Sequence, residues 1–144
     1  MALPSFAVTS DAELVTAARD KTSYDDAADE LPGDATTGQM SGIVDDAKRV
    51  LYMKTGSDQW YTDVAYGQAL VAMTAMKMKE AVENINIEMY GVGDETLSFS
   101  NADPEDSQQI RSWSSEVNEG LNESGIEFDK AQDLSLKNTS SYIG

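Results

Sequence analysis

The sequence predicts a mainly α fold: a small helical bundle around a long central helix, with one β-hairpin and an extended C-terminal tail. Three observations predict this fold class. An apolar stretch rich in strong helix formers runs from Thr62 to Glu83. Two further segments, residues 37–54 and 103–125, repeat apolar residues at helical spacing. Between them, residues 85–100 alternate apolar and polar side chains around a Gly-rich connection, as in a hairpin.

The composition is strongly acidic. The chain has 144 residues, a length typical of one domain, and 26 acids against 10 Lys and Arg give it a net charge of −16. The acids are spread along the whole chain. This favours a protein from a high-salt cytoplasm over one that docks on a basic partner or mimics nucleic acid. Both interpretations disfavour binding to duplex DNA through phosphate neutralisation.

The residue types that are missing exclude several classes of chemistry. The chain contains no Cys and no His. It therefore has no disulfide, thiolate nucleophile, imidazole base or Ser-His-Asp triad. Carboxylates alone support glycoside or metal chemistry in some enzymes, but no pair here lies in an apolar context that would tune it. We expect no enzyme activity, no catalytic residues, no cofactor and no metal.

No targeting or membrane segment is predicted. The first ten residues contain no basic residue and no long apolar run, which is unlike a signal peptide. The uncharged run between Asp63 and Lys77 is shorter than the roughly 20 residues that a membrane-spanning helix needs.

The N-terminal part divides into an arm and the first helix of the main domain. Residues 1–9 are predicted as an extended arm, and residues 10–125 as the helical domain. Ser10 and Glu13 fit a capping box, in which Ser10 accepts from the Glu13 amide and Glu13 reaches back to the Ser10 amide. A short helix is predicted from there to about Lys21.

An acidic cluster follows this helix, ahead of a break at Pro32 and Gly33. One or two helical turns are predicted between Tyr24 and Leu31. We interpret the acids as a solvated loop or helix face, with a metal cluster as the alternative. They are Asp25, Asp26, Asp29 and Glu30.

The second and central helices are predicted in sequence. The second runs from about Thr37 to Lys54 and stops at Gly56. Thr62 or Ser57 is expected to cap the central helix, with Asp63 in its first turn. Trp60 and Tyr61 are expected to anchor the connecting loop on the core.

Apolar residues cover nearly the whole circumference of the central helix, so it should be buried on most sides. This coverage exceeds what a thin domain needs. We therefore expect a neighbouring subunit to bury the side that carries Met73 and Met76, and Met73→Glu to break an oligomer more readily than the subunit.

The hairpin and the last helix complete the domain. Ile87 and Met89 lie in the first alternating run, and Gly91 and Gly93 in the connection. A phosphate-binding loop is the alternative, but it lacks the third Gly and a following helix. Asp103 is expected to cap the last helix, with Pro104 at its first position, and Gly125 to stop it. Its predicted apolar stripe comprises Ile110, Trp113, Val117 and Leu121.

This order of elements resembles that of the head–tail connector (adaptor) proteins of tailed viruses, over roughly Asp11 to Asn122. The segment IVDDAKRVLYMKTGSD resembles the family's A-x-x-x-I-x-x-x-T-G type of helix end, and an Ala- and Leu-rich helix follows. The segment IEMYGVGDETLSFS resembles the family's G-D-x-S-x-S stretch, matched here by Gly93, Asp94, Ser98 and Ser100. It departs at Thr96, where the family often has Ser.

The resemblance implies a structural virion protein without a catalytic site. Such adaptors form a homo-oligomeric ring, usually a dodecamer, beneath the portal protein of the filled capsid. The ring extends the channel through which genomic DNA passes without sequence-specific binding, and it offers a platform to the next tail protein. The expected location is the head–tail neck of the virion, after assembly in the host cytoplasm and without a membrane. The acidic composition would suit a virus of a halophilic archaeon.

A different class of function stays open: a small acidic interaction module, or a DNA-mimic inhibitor, of a halophilic cell. Whichever of the two functions is correct, residues 126–144 are predicted as a docking tail, because a polar segment with spaced apolar residues suits binding along a neighbouring protein. Hairpin edges can also pair with other strands. The predicted partner interface comprises Met89, Tyr90, Val92, Phe99, Phe128, Leu134, Leu136, Tyr142 and Ile143.

Overall fold

The computed structural model describes residues 6–24, 31–93 and 95–126. Over these ranges the predicted fold class is confirmed, with four α-helices and one two-stranded antiparallel hairpin. In chain order the elements are α1 (Asp11–Thr22), α2 (Gly38–Thr55), a 3₁₀ turn (Gln59–Tyr61), α3 (Val64–Val82), β1 (Asn86–Tyr90), β2 (Leu97–Ser100) and α4 (Pro104–Glu123). None of the helices described is both long and apolar enough to span a membrane. The predicted helical turns after Tyr24 and most of the docking tail lie outside these ranges.

Helix α3 is the centre of the bundle, as predicted. Helices α1, α2 and α4 and the 3₁₀ turn all pack against it. The helix begins after Asp63, whose carboxylate accepts a hydrogen bond from the Tyr66 amide at 3.1 Å. The expected caps Thr62 and Ser57 were therefore wrong. The Thr62 hydroxyl instead donates to the carbonyl of Gln59 in the 3₁₀ turn, which leaves Asp63 to cap the helix.

The expectation that a neighbouring subunit buries one side of α3 was also wrong. Met73 and Met76 are fully buried within the subunit. Helix α4 approaches α3 very closely, since a Cβ added at Gly120 would lie 2.6 Å from the Ala65 carbonyl oxygen. Met73 and Met76 are thus enclosed by residues of their own subunit.

The predicted start of α1 is confirmed, with one difference in the cap. The Ser10 hydroxyl accepts from the Glu13 amide at 3.2 Å. The Glu13 carboxylate does not return to the Ser10 amide. It accepts instead from the amide and the hydroxyl of Thr9, both at 2.7 Å, because Thr9 offers two donors to the same oxygen. The stop of α2 at Gly56 is confirmed, and this glycine has the left-handed φ of 72°.

The hairpin is confirmed, but its first strand is less regular than the alternating sequence indicates. Ile87 pairs with Phe99 and Met89 pairs with Ser98, so Glu88 forms a bulge. In a regular strand Ile87 and Met89 would share one face. The bulge breaks this relation, because an extra residue rotates the strand beyond it. As a result Ile87 is buried, whereas Met89 is exposed.

Helix α4 matches its prediction closely. Asp103 caps it by accepting from the Asp106 amide at 2.8 Å, and Pro104 occupies the first position. The four residues of the predicted stripe, Ile110, Trp113, Val117 and Leu121, are all buried. The helix ends at Glu123, slightly before the expected stop at Gly125.

Candidate protein interface

The Gly-rich connection of the hairpin has internal partners for its amides. The Glu95 carboxylate accepts from the amides of Tyr90 and Gly91, both at 3.1 Å. The Asn118 side-chain oxygen accepts from the Gly93 amide at 2.8 Å. A bound phosphate would need these same donors. The geometry therefore favours a structural connection over the alternative of a phosphate loop.

The same connection is fastened to α4. The Ser114 hydroxyl donates to the Tyr90 carbonyl at 2.9 Å, and the Asn118 amide donates to the Gly91 carbonyl at 2.7 Å. These bonds draw Val92 into the core, where its side chain is buried. Of the predicted interface residues, Val92 is thus covered by its own subunit.

Tyr90 is a half-buried residue whose hydroxyl donates to Glu80. Burial raises the pKa of Tyr90 well above its ordinary value, and the hydrogen bond to Glu80 and the Glu80 charge raise it further. The Lys77 ammonium lies 4.7 Å from the centre of the ring. Tyr90 therefore stays neutral and fixes the hairpin against α3, which leaves little of it for a partner.

The remaining hairpin residues of the predicted interface differ in exposure. Phe99 is partly buried, and the Arg111 guanidinium lies 5.3 Å from its ring centre. Met89 is exposed. Neither outer edge of the hairpin pairs with a third strand from the described ranges. Phe128, Leu134, Leu136, Tyr142 and Ile143 lie outside those ranges.

Helix α2 adds two exposed apolar residues that the sequence analysis missed. Tyr52 and Met53 project from its last turns, and Met53 is 77% exposed. The Lys54 ammonium lies 3.1 Å from the Glu95 carboxylate and joins this end of α2 to the hairpin connection. We use the name α2–hairpin surface for Tyr52, Met53 and Met89, the exposed large apolar residues of these two elements, which the Lys54–Glu95 pair joins. A signal for it existed in the sequence, because Tyr52 and Met53 fall off the apolar stripe of α2.

A second apolar feature lies on a different part of the subunit. A groove of about 660 Å³ runs between residues 6–8, α1 and α3, and no residue of α2 or the hairpin lines it. Phe6 projects beside it and is 61% exposed. The Gln68 side chain donates to the Phe6 carbonyl at 2.9 Å and holds the arm in place. We call this the N-terminal groove, lined among others by Phe6, Ala12, Thr16, Ala17, Gln68 and Val71.

The loop before α3 is anchored as predicted. Trp60 is buried and Tyr61 is half-buried. The Tyr61 hydroxyl and the Lys48 ammonium both donate to the Asp11 carboxylate, the ammonium at 2.6 Å. Burial opposes ionisation of Asp11, but these two hydrogen bonds and the Lys48 charge outweigh it and lower the pKa of Asp11. The cluster joins α1, α2 and the 3₁₀ turn.

The eight cations of the described ranges are all engaged within the subunit. Five form ion pairs with carboxylates, two lie over aromatic rings of the hairpin, and Arg19 donates to the Leu31 and Gly33 carbonyls. The surface charge that remains for a partner is therefore mainly that of carboxylates. In the same ranges no group of three or more acids is placed to hold a metal ion. The predicted acidic cluster at Asp25, Asp26, Asp29 and Glu30 lies outside them.

Comparisons with protein-family models, curated proteins and solved structures found no match. The resemblance to viral adaptors therefore stays an expectation from the sequence. The features of the subunit that bear on function are the α2–hairpin surface, the N-terminal groove and the acidic surface around them.

Proposed function

We propose that this chain is a structural virion protein, a head–tail adaptor that forms a ring beneath the portal of a tailed virus. The observation that carries the proposal is the presence of two separate apolar features on one subunit. A ring assembles head to tail, so each subunit needs two different complementary faces. The N-terminal groove with Phe6 supplies one such face. The α2–hairpin surface supplies the other, and no strand of the described ranges pairs with the outer edges of its hairpin.

The charge of the subunit sets the conditions under which a ring would form. Subunits that each carry −16 repel one another at low ionic strength. The screening length is about 10 Å at 0.1 M salt and about 3 Å at 1 M salt. Apolar contacts are not weakened by screening. We therefore expect assembly to be favoured by high salt, in agreement with a halophilic host.

The direct test is to image the purified protein together with the portal protein of the same virus by negative-stain electron microscopy, at low salt and at about 1 M salt. The proposal predicts rings at high salt that cap the portal. Light scattering measures the mass of the same samples. A protein that stays monomeric with the portal at both salt concentrations contradicts the proposal.

Two variants examine the α2–hairpin surface within that test. Met53→Glu places a charge at the most exposed apolar residue of the surface and should abolish the ring while helical circular dichroism is retained. Gln39→Glu adds the same charge at an exposed position in the first turn of α2 and should leave the ring intact. If both variants formed rings equally well, the α2–hairpin surface would not be one of the faces that join subunits in the ring.

The engaged cations favour a second candidate, an acidic module that binds a basic protein in place of nucleic acid. Because these cations are already paired within the subunit, the outer surface offers mainly carboxylates to a partner. Such a protein would stay small at all salt concentrations and compete with duplex DNA for a basic protein. Competition by a monomer at low salt, with no ring at high salt, would favour this candidate over the adaptor.

A ring of these subunits would present acidic side chains to the DNA that passes through it. Like charges repel, so the ring should not retain DNA. Retention is measured by mobility shift with the isolated ring at low salt. Tight binding would exclude the proposed channel role.

A further inference from the structure

The N-terminal groove is a surface of mixed apolar and polar side chains that the described residues leave open. Its volume of about 660 Å³ falls in the range of about 300–1,000 Å³ that is typical of binding pockets. Small side chains, among them Ala12 and Ala17, line it beside Val71. Phe6 projects with most of its ring in solvent. A concave surface of this volume that no described residue covers is a candidate binding site.

We propose that the chain's own C-terminal residues, within 127–144, occupy this groove in the same subunit. The first argument is where the described chain ends. After α4, the Gly125 amide donates to the Asp63 carboxylate at 2.6 Å, and the side chain of Ile126 is buried. The chain therefore leaves the domain at the N-terminal end of α3, the helix that forms one wall of the groove.

The distance to be covered is short. Gln68 and Val71 follow Asp63 on the same helix, about 8–12 Å further along its axis at 1.5 Å per residue. An extended chain covers about 3.3 Å per residue, so the first ten residues after Ile126 reach about 33 Å. The segment from Leu134 onward can therefore lie in the groove without strain on the connection.

The chemistry of the segment matches that of the groove. Leu134 and Leu136 alternate with polar residues and would share one face of an extended segment. The groove is lined by Glu13 and Asp20, and the one lysine beside them is paired with Glu116 at 2.6 Å. Of the ten cations in the chain, the two outside the described ranges are Lys130 and Lys137. Lys130 is outnumbered by Glu127, Asp129 and Asp133 around it, but the part from Leu134 onward carries Lys137 and no acidic side chain. That part is complementary in charge to Glu13 and Asp20.

Binding within one subunit is favoured over exchange between subunits. A short connection gives the segment a millimolar effective concentration at its own groove, which exceeds the concentration of a second copy in dilute solution. The inference concerns the isolated subunit and does not depend on the proposed ring. If the ring also uses this groove, a consequence that does rest on the proposed function, the segment must be displaced before assembly.

The absence of cysteine from the chain permits a clean cross-linking test. Thr16 is exposed on α1 and lines the groove, and Ser135 lies between the two leucines of the segment. The Thr16→Cys, Ser135→Cys chain is oxidised at low micromolar concentration. The control chain combines Ser112→Cys with Ser135→Cys, because Ser112 is also exposed, on α4, but does not line the groove. The groove pair should close an intramolecular disulfide at least about tenfold faster than the control pair.

A further variant shows whether the leucines cause the difference. Leu134→Ser with Leu136→Ser, added to the groove pair, should reduce the rate of disulfide formation to that of the control. Equal rates for the groove and control pairs, or an unchanged rate after both leucine substitutions, overturn the proposal. A disulfide that forms only between differently tagged chains also overturns the proposal, because it places the segment in the groove of a second copy. The test uses dilute monomer, so its failure leaves the imaging of rings unaffected.

Discussion

Replacing Gly120 by alanine should destabilise the bundle because α3 and α4 cross there without room for a methyl group. A Cβ at this position would lie 2.6 Å from the Ala65 carbonyl oxygen and 3.0 Å from both the amide nitrogen and the Cβ of Ala69. Two of these atoms are backbone and the third is a short side chain. None can rotate away, so the two helices must separate.

The expected change in the free energy of unfolding for Gly120→Ala is the sum of two opposing contributions. Overpacking of a close contact costs about 1–3 kcal/mol, and the rigid neighbours here indicate the upper part of that range. Replacing a helical glycine by alanine returns about 1 kcal/mol in helix propensity. The expected net loss for Gly120→Ala is therefore about 2 kcal/mol.

Gly42 provides the matched control. It also lies within a helix, α2, but apart from its chain neighbours and the backbone of its own helix, no atom lies within 4 Å of the Cβ that alanine would add. Gly42→Ala should therefore stabilise the protein by about 0.5–1 kcal/mol through propensity alone. The same chemical change is thus expected to have opposite signs at the two positions.

Thermal and urea unfolding, followed by circular dichroism at a fixed salt concentration of about 1 M, measures both effects. At roughly 2–4 °C per kcal/mol, Gly120→Ala should lower the melting temperature by about 4–8 °C and Gly42→Ala should raise it by about 1–4 °C. Stabilisation by Gly120→Ala would refute the close crossing of α3 and α4.

Three further substitutions test individual side chains. Asp103→Ala should cost about 1 kcal/mol by removing the N-cap of α4, whereas Asp103→Asn should retain most of the stability in urea unfolding. Lys79→Met should cost about 2–3 kcal/mol, because its ammonium lies 2.7 Å from the Asp106 carboxylate and the two side chains are only 6% and 17% exposed. Asp11→Asn should destabilise most at neutral pH, because the pKa of Asp11 is lowered in the fold. The stabilisation by the ionised Asp11 carboxylate is fully present above its ordinary pKa of 3.8 and disappears as the pH falls through its lowered pKa in the folded protein. The curves of stability against pH for the wild type and Asp11→Asn should therefore converge in acid.

Controls for these substitutions come from the same chain. Arg49 forms an exposed ion pair with Asp46, so Arg49→Met should change stability by less than about 0.5 kcal/mol. If Lys79→Met lowered the free energy of unfolding no more than Arg49→Met does, burial of the Lys79–Asp106 pair would contribute little to stability. A constant difference between the Asp11→Asn and wild-type curves from neutral to acid pH would contradict the assigned role of that carboxylate.

Local signals in the sequence were sufficient for the elements that depend on neighbouring residues. Asp103 and Pro104 mark the start of α4, and Gly56 marks the end of α2, because caps and stops act within one turn. The stripe of α4 was likewise readable from its spacing. These features need no knowledge of the tertiary structure.

The predictions that were wrong concern residues whose contacts come from distant parts of the sequence, or residues at which a local irregularity changes the pattern. Periodicity shows that Met73 is buried but not what buries it, and α4 lies some forty residues further along the chain. Val92 is in a Gly-rich connection, yet bonds from Asn118 and Ser114 draw it inward. The bulge at Glu88 turns Met89 outward, which simple alternation cannot indicate.

The candidate interface was predicted less well than the fold for the same reason. Met53 is exposed because it lies outside the apolar stripe of α2. The N-terminal groove is formed by three segments that are separate in the sequence. Sequence spacing identifies apolar residues, but the way elements pack decides which of them remain at the surface.

The hairpin is linked to the bundle by three sets of bonds. Glu80 on α3 accepts from the Ile87 amide and the Tyr90 hydroxyl. Glu95 connects the hairpin to Lys54 on α2, and Ser114 and Asn118 connect it to α4. Both helices pack against α3. A pulling force applied to the hairpin is therefore divided among three load paths, one directly to the central helix and two that reach it through α2 and α4. Cutting one path, as Lys54→Ala would, lowers the stiffness of the hairpin but leaves the mechanical connection to the core in place.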